Sequence, residues 1–207
     1  LEAVGAHVIY GVVHLKTHSK ICLVVRQESD GIRRYMHLGT GNYNPFTSKI
    51  YTDLGLLTSN HEIGEDATHV FNYMTGYSNK REFNHLLVAP VSLRSGLEKL
   101  IEREIEHARQ GRPSGMIFKV NSVADQKVIT KLYEASKAGV RQDLIVRGIC
   151  CLRPGVEGVS EKIRVRSIIG RFLEHSRIYY FENGGKPEIY CGSADLMERN
   201  LSRRVEI

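Results

Sequence analysis

The chain has 207 residues, of which 42% are hydrophobic and 25% are charged, and it carries a formal net charge of +6. This balance is that of an ordinary globular protein and excludes disorder along most of the length. The length allows one large or two modest α/β domains, and the positive charge favours an anionic partner of unspecified kind.

Targeting signals and cysteine spacing set further limits. No stretch approaches the roughly 18 to 20 apolar residues that span a bilayer, and no basic region leads into an apolar leader at the start. We therefore expect a cytoplasmic protein without a transmembrane segment.

Four cysteines lack CxxC spacing, and we expect them to be buried, reduced thiols. They are Cys22, Cys150, Cys151 and Cys191.

The first part of the chain has the pattern of strands followed by a helix. Strands are predicted at 7–10 and at 21–25, because apolar residues are continuous there. A helix is predicted over 62–74, closed by Gly76. His18 should therefore lie at or near the start of the second strand.

The polar stretch 77–82 is the best candidate for a domain boundary, because a strand is predicted directly after it at 86–90. Ser95 and Glu98 form a capping-box pattern that predicts the start of a helix. Further elements are predicted at 116–120 (strand), 125–138 (helix) and 144–146 (strand). Alternating strands and helices predict an α/β fold, which we divide into domains 1–82 and 83–207.

Two segments, one on each side of this boundary, share a residue pattern. Each has a histidine, a cation two residues later, and then a Gly-hydroxyl turn that ends in an amide or acid side chain. The first comprises His18-Ser19-Lys20 and Gly39-Thr40-Gly41-Asn42; the second comprises His175-Ser176-Arg177 and Gly192-Ser193-Ala194-Asp195. Fourteen residues after its first glycine, each half has a carboxylate, Asp53 or Glu206.

A histidine and a cation at this spacing suit phosphoryl transfer. Positions i and i+2 of a strand point to the same face, so His18 and Lys20 should project together, as should His175 and Arg177. A nucleophile and a positive charge would then share one pocket. Lys20 and Arg177 are therefore candidates for binding phosphate.

The turns and the carboxylates suit the same chemistry. Glycine-rich turns offer backbone N–H groups to phosphate oxygens, and Asn42 is a candidate to add its side-chain amide. An imidazole attacks through one ring nitrogen when the other is held, and Asp53 and Glu206 are candidates to hold it.

The order HxK followed by GTGN resembles the phospholipase D superfamily, whose two half-sites bring two histidines together. The sequence departs from its phosphodiesterases, since Val25 stands where they carry an aspartate five residues after the lysine. In the second half the cation is Arg177, Glu182 occupies the aspartate position, and Asp195 replaces the asparagine. These departures argue against a typical phosphodiesterase.

Longer runs resemble the polyphosphate kinases of the long, four-domain type, and the similarity extends over essentially all 207 residues. The runs are THSK at 17–20, YMHLGTGNYNP at 35–45, LIVRGICCLRPG at 144–155 and GRFLEHSR at 170–177. The resemblance implies two phospholipase D-like α/β domains, with mixed sheets flanked by helices and the active site between them.

The same resemblance implies an activity and its residues. The activity is reversible transfer of the γ-phosphate of ATP to the end of an inorganic polyphosphate chain through a phosphohistidine, which the matching motif places on His18. His175 is implied as the second catalytic histidine, which moves a proton at the transferred phosphate. Contacts to ATP are implied at Tyr51, Arg147 and His175.

The resemblance also implies partners and a cofactor. ATP, ADP and inorganic polyphosphate are the expected partners, without nucleic acid, and magnesium is the expected cofactor. The family has two further domains before this segment, so the magnesium ligands are expected outside it. We expect this segment alone to be weakly active or inactive. The full-length protein is expected to be a cytoplasmic homo-oligomer, with peripheral membrane association left open.

Two other functions stay open on the sequence. A phospholipase D-like phosphodiesterase or nuclease is favoured by the histidine pair and the basic charge, and is opposed by Val25 and Asp195. A noncatalytic module that binds a polyanion is allowed by the charge alone.

Overall fold

The structure, a computed structural model, describes residues 1–12, 14–77 and 82–207. The strands are β1 (Lys16–Thr17), β2 (Lys20–Glu28), β3 (Gly31–Gly39), β4 (Tyr51–Thr52), β5 (Gly55–Thr58), β6 (Gly115–Val120), β7 (Arg141–Val146), β8 (Ile163–Arg166), β9 (Leu173–Glu174), β10 (Arg177–Phe181), β11 (Glu188–Gly192) and β12 (Arg204–Val205). The helices are α1 (His61–Met74), α2 (Leu93–Arg109), α3 (Gln126–Lys137) and α4 (Glu198–Ser202), and short 3-10 turns lie at Glu2–Val4, Thr47–Lys49 and Asn183–Gly185.

The first half is built on an antiparallel sheet in the order β2-β3-β5. Helix α1 begins at Asn60, whose side chain accepts a hydrogen bond from the N–H of Ile63. Gly64 of this helix lies directly against the side chains of Arg34 and Met36 on β3. Met36 is buried as a result, so the helix covers one face of the sheet.

The second half is built on a mixed sheet in the order β11-β10-β6-β7-β8. Strands β6, β7 and β8 are parallel, whereas β10 runs antiparallel to β6 and to β11. Apolar residues of α2 and α3 pack with those of β6 and β7 into one core, with Phe118 and Leu132 completely buried. The carboxyl ends of the parallel strands, where Asn121 and Arg147 follow, are therefore held by a packed core.

Two short parallel pairings join the halves. Strand β1 pairs with β12, and β4 pairs with β9. In each pair, the strand before a histidine of one half lies beside the strand before a carboxylate of the other. The topology thereby brings both parts of the sequence repeat to one place.

Most predicted elements are confirmed. The predicted strands at 21–25, 116–120 and 144–146 lie within β2, β6 and β7, and the predicted helices correspond to α1 and α3. Of the predicted boundary 77–82, residues 78–81 lie outside the described part of the chain.

Two predicted strands are wrong. Residues 7–10 form no strand, and none of the strand pairings includes them. Residues 86–90 also form none. There only Ala89 makes a bridge, to Glu206, while the N–H of Leu86 bonds to the Asp66 carboxylate and that of Val88 to the Ser92 hydroxyl.

The predicted capping box and the predicted burial of the cysteines are also wrong. Helix α2 starts at Leu93, so Ser95 lies inside its first turn. The four cysteines are free thiols as expected, but Cys22, Cys151 and Cys191 are exposed and Cys150 is half-buried. Cys22 is on the sheet face opposite to Met36, the face that α1 does not cover.

No helix in the described ranges is both long enough and apolar enough to cross a membrane.

Candidate active site

His18 follows β1 and is fixed by the end of the other half. Its N–H bonds to the carbonyl oxygen of Val205, and its ring Nδ1 lies 2.8 Å from Oε2 of Glu206. Glu206 is completely buried, whereas 21% of the His18 side chain is exposed. Because a carboxylate only accepts, Nδ1 carries a proton, and in the neutral imidazole the lone pair then lies on Nε2.

The Glu206 carboxylate is itself held by neutral donors. Ser193 Oγ donates to Oε2 at 2.5 Å, and Asn200 Nδ2 donates to Oε1 at 2.6 Å. Both donors are buried with it. These hydrogen bonds fix the orientation of the buried carboxylate, and the carboxylate in turn fixes the orientation of the His18 ring.

His175 repeats this arrangement with the carboxylate of the first half. Its Nδ1 lies 2.8 Å from Oδ1 of Asp53, and Thr40 Oγ1 donates to the same oxygen at 2.7 Å. The N–H of His175 bonds to the carbonyl oxygen of Thr52. The hydroxyl of the repeated Gly-hydroxyl turn therefore orients the carboxylate in both halves.

The two pairs cross between the halves. Each histidine bonds to the carboxylate that belongs to the other half of the sequence repeat, His18 to Glu206 and His175 to Asp53. A separated half would leave its histidine without that partner.

Two glycines of the repeated turns leave room for close contacts. A Cβ on Gly41 would overlap the carboxylate of Asp53, and a Cβ on Gly192 would overlap the carbonyl of Ile207. Gly41 and Gly192 are therefore required by contact distance.

Lys20 begins β2, so His18 lies just before the strand and not on it, which corrects the expectation that the two share a strand face. The Lys20 ammonium donates to the carbonyl oxygen of His18. Burial lowers the pKa of Lys20 from 10.5 to about 8, although Glu206 opposes this shift, and Arg177 adds to it. The charge of Asp53 also opposes the lowering of the Lys20 pKa, so charged groups of both halves lie close together.

Arg177 occupies the matching position in the second half and is buried. Its guanidinium donates to the carbonyl oxygen of His175 at 2.7 Å and to Oδ2 of Asp195 at 3.0 Å. Asp195 also accepts from the N–H of Asn121. These bonds hold the guanidinium in place, and its predicted contact to phosphate stays a prediction.

Tyr51 and Asn42 line a cavity of about 260 Å³ next to the second pair, together with Gly41, Tyr43 and Asp53. The Tyr51 ring lies 4.8 Å from the ring of His175, centroid to centroid, at a tilt of 45°. An aromatic ring and a side-chain amide here face a space beside the Asp53–His175 pair.

Arg147 directly follows β7 at the carboxyl edge of the parallel strands. Its backbone N–H bonds to Val120, but its Nη1 atom is buried and has no hydrogen-bond partner among residues 1–12, 14–77 and 82–207. A buried guanidinium nitrogen without a partner costs free energy, which an anionic ligand would recover.

The pKa of His175 is lowered. Burial is the main cause, the positive charge of Arg177 adds to it, and the hydrogen bond to Asp53 opposes it. His175 is therefore neutral near neutral pH, and its Nε2 is free to accept a proton.

Sequence reasoning missed Thr40, Ser193 and Asn200 as carboxylate-holding residues. The first two are visible in the sequence as the repeated hydroxyl, but their function depends on the folded contact. Asn200 has no sequence signal.

The described residues contain no group of three or more His, Cys, Asp or Glu side chains that could hold a metal ion.

Two family models match the chain. Residues 1–80 match polyphosphate kinase C-terminal domain 1, and residues 86–207 match polyphosphate kinase C-terminal domain 2. The chain belongs to the polyphosphate kinase family. A polyphosphate kinase of Synechocystis sp. is 61% identical over 206 residues, which cover 100% of this chain and 28% of that protein. One of Streptomyces coelicolor is 58% identical, with the same coverage of 100% and 28%. The chain thus spans less than a third of these relatives.

A solved structure shares the fold. The crystal structure of polyphosphate kinase from Porphyromonas gingivalis is 42% identical, with a TM-score of 0.93, covering 99% of this chain and 32% of that chain. The expected fold class, phospholipase D-like α/β with sheets flanked by helices, is confirmed. The sheet of the second half is mixed as expected, whereas that of the first half is antiparallel.

Proposed function

We propose that this chain is the phosphoryl-transferring part of a polyphosphate kinase, with His18 as the residue that carries the phosphoryl group. One observation carries the proposal. Each of two histidines has Nδ1 on a carboxylate of the opposite half, which leaves Nε2 of each for chemistry.

In the first step, Nε2 of His18 attacks the γ-phosphorus of ATP in line. The N–P bond forms, the bond from this phosphorus to the β,γ-bridging oxygen breaks, and ADP leaves with that electron pair. The Nδ1 proton stays between the ring and Glu206, whose negative charge stabilises the positive charge that develops on the imidazole.

In the second step, a terminal oxygen of polyphosphate attacks the phosphorus on His18, and the N–P bond breaks. The polyphosphate chain becomes one phosphate longer. His175, which is neutral near neutral pH, accepts the proton of the attacking phosphate and returns it in the reverse reaction.

Nucleotide binding is proposed for Tyr51, Arg147 and His175. The cavity beside the Tyr51 ring supports a role in holding the nucleotide. The buried, partnerless Nη1 of Arg147 supports a contact to its phosphates, because a guanidinium binds phosphate oxygens strongly.

Phosphate contacts are proposed for Lys20, Asn42 and Arg177. Lys20 donates a hydrogen bond to the carbonyl oxygen of His18, and Arg177 donates one to that of His175. Their positive charges therefore lie beside the two histidines. Positive charge there stabilises the negative charge that spreads over the transferred phosphoryl group.

Partners, cofactor and location follow from the same proposal. ATP, ADP and inorganic polyphosphate are the substrates, with magnesium as cofactor. The protein works in the cytoplasm as a homo-oligomer. A phospholipase D-like phosphodiesterase is not favoured, since the family is that of polyphosphate kinases. In addition, Asp195, which stands where those enzymes carry an asparagine, pairs with Arg177.

The test uses a polyphosphate kinase of the relatives' length that contains this chain, hereafter the complete enzyme. After incubation with γ-labelled ATP, the protein should carry label that is stable to base and labile to acid. His18→Ala should abolish it, and His61→Ala, a change at an exposed histidine on α1, should not. Label that persists in His18→Ala would overturn the assignment, and phosphodiester cleavage by the wild type would favour the alternative.

A further inference from the structure

Lys119 lies on β6, outside the repeated segments of the sequence. Its side chain is 15% exposed, and its Nζ lies between the two neighbours of His175. Nζ is 2.8 Å from the hydroxyl and 3.0 Å from the carbonyl oxygen of Ser176, and 3.2 Å from Oε2 of Glu174. The two contacts to Ser176 are hydrogen bonds and the contact to Glu174 is an ion pair, so the ammonium is held by the two residues that flank the histidine.

Thr52 of the first half meets Lys119 on the same carboxylate. Its Oγ1 lies 3.2 Å from Oε2 of Glu174, and its carbonyl oxygen accepts the N–H groups of His175 and Ser176. Thr52 directly precedes Asp53 in the chain and bonds to the N–H of His175. Through Oε2 of Glu174, Lys119 is therefore linked to both members of the His175–Asp53 pair.

The first half has no counterpart of this lysine in the part of the chain that the structure describes. Ser19 stands where Ser176 stands in the second half, but its Oγ is buried and has no hydrogen-bond partner there. The repeat is therefore symmetric in its histidines and carboxylates, and asymmetric in what restrains the backbone around them.

We infer that Lys119 is a positioning residue for the second step: it holds the backbone carbonyl of Ser176 after His175 and the side chain of Glu174 before it and, through Glu174 and Thr52, the approach of Asp53. The inference rests on the proposed function of His175 and adds a residue to it. Lys119 acts through these neighbours, because its ammonium bonds to Ser176 and pairs with Glu174.

The experiment compares Lys119→Met with Lys131→Met in the complete enzyme. Both changes remove an ammonium that bonds to carboxylates, but Lys131 lies on α3 between Glu102 and Glu134. We expect Lys119→Met to lower kcat by about 10- to 100-fold with little change in KM for ATP, because small misplacement of a catalytic group has effects of this size. Lys131→Met should stay within about 2-fold of the wild type, because exposed ion pairs contribute little.

A double-mutant cycle separates positioning from general stability. In an Asp53→Ala background, Lys119→Met should cost less than about 2-fold, because the carboxylate that it positions is already absent. Losses that multiply in the double variant, or an unchanged kcat in Lys119→Met, would overturn the inference.

Two further measurements keep the test decisive. If Lys119→Met does not fold, Thr52→Val cuts the same link from the other side, and an unchanged kcat there overturns the inference. Labelling of His18 by γ-labelled ATP is measured in parallel: absence of label in the wild type refutes the proposed function, whereas normal label with normal kcat in the variants refutes only the inference.

Discussion

Nδ1 of His18 lies 2.8 Å from Oε2 of Glu206, a residue 188 positions further along the chain. If this contact sets the tautomer that attacks ATP, Glu206→Gln should lower the rate of His18 labelling in the complete enzyme. A wrong tautomer removes the free Nε2 lone pair, so we expect a loss on the order of 10²- to 10⁴-fold. Quenched-flow labelling measures the rate. Glu198→Gln, at an exposed carboxylate paired with Arg203, should have no such effect; equal loss in both variants would contradict the prediction.

Lys20 should make the stability of the chain depend on pH. Its pKa is about 8 in the folded state and 10.5 ordinarily, so between these pH values the unfolded chain binds more protons at Lys20. The contribution of Lys20 to the free energy of unfolding should therefore rise as pH rises from 8 to 10.5. Urea unfolding across this window should show a steeper rise for the wild type than for Lys20→Met. The exposed Lys137→Met is the control, and identical slopes in all three proteins would refute the prediction.

Gly41→Ala should lower activity through Asp53. The new Cβ would overlap the carboxylate, which must then move away from His175. We expect kcat of the complete enzyme to fall by about 10-fold or more, since the ring loses its orientation. The matched control is Gly170→Ala, where a Cβ meets nothing within 4 Å. Wild-type kcat in a folded Gly41→Ala protein would contradict this geometry.

Arg147→Lys should weaken nucleotide binding. The buried Nη1 would be lost, and one charged hydrogen bond is worth about 1.5 to 3 kcal/mol, or roughly 10- to 100-fold in Kd. Isothermal titration of the complete enzyme with ADP measures this. Arg166→Lys, at a largely exposed arginine on the neighbouring strand β8, should bind ADP like the wild type.

Asp66→Asn should destabilise the connection between the halves. The buried carboxylate accepts the N–H groups of Asn84, His85 and Leu86, and an amide cannot accept from all three at both oxygen positions. We expect a loss of about 2 kcal/mol or more in the free energy of unfolding. Asp30→Asn, which breaks an exposed pair with Arg33, should cost less than about 0.5 kcal/mol in the same urea titration.

The sequence predicted which residues form the two histidine–carboxylate pairs better than how they pair. His18, His175 and the two carboxylates follow from a repeat with equal spacing, because local patterns carry residue type and offset. Which carboxylate bonds to which histidine depends on how two halves pack, and equal spacing is compatible with either choice.

The errors in the fold have the same origin. Apolar runs at 7–10 and 86–90 have the composition of strands, but a strand forms only where a neighbour offers its hydrogen bonds. Asp66 and Ser92 take the N–H groups that such a strand at 86–90 would have used. Lys119 was not predicted because its partners lie 55 and 57 positions away, at Glu174 and Ser176.

The crossed pairing of β1 with β12 and of β4 with β9 has a consequence for how such a chain could arise. Each half gives its carboxylate to the other and receives one in return, which is the reciprocal exchange that a two-fold dimer of identical subunits makes across its axis. A duplicated and fused gene would keep this exchange within one chain. Lys119 then makes the two surroundings unequal, because it restrains the neighbours of His175 and not those of His18.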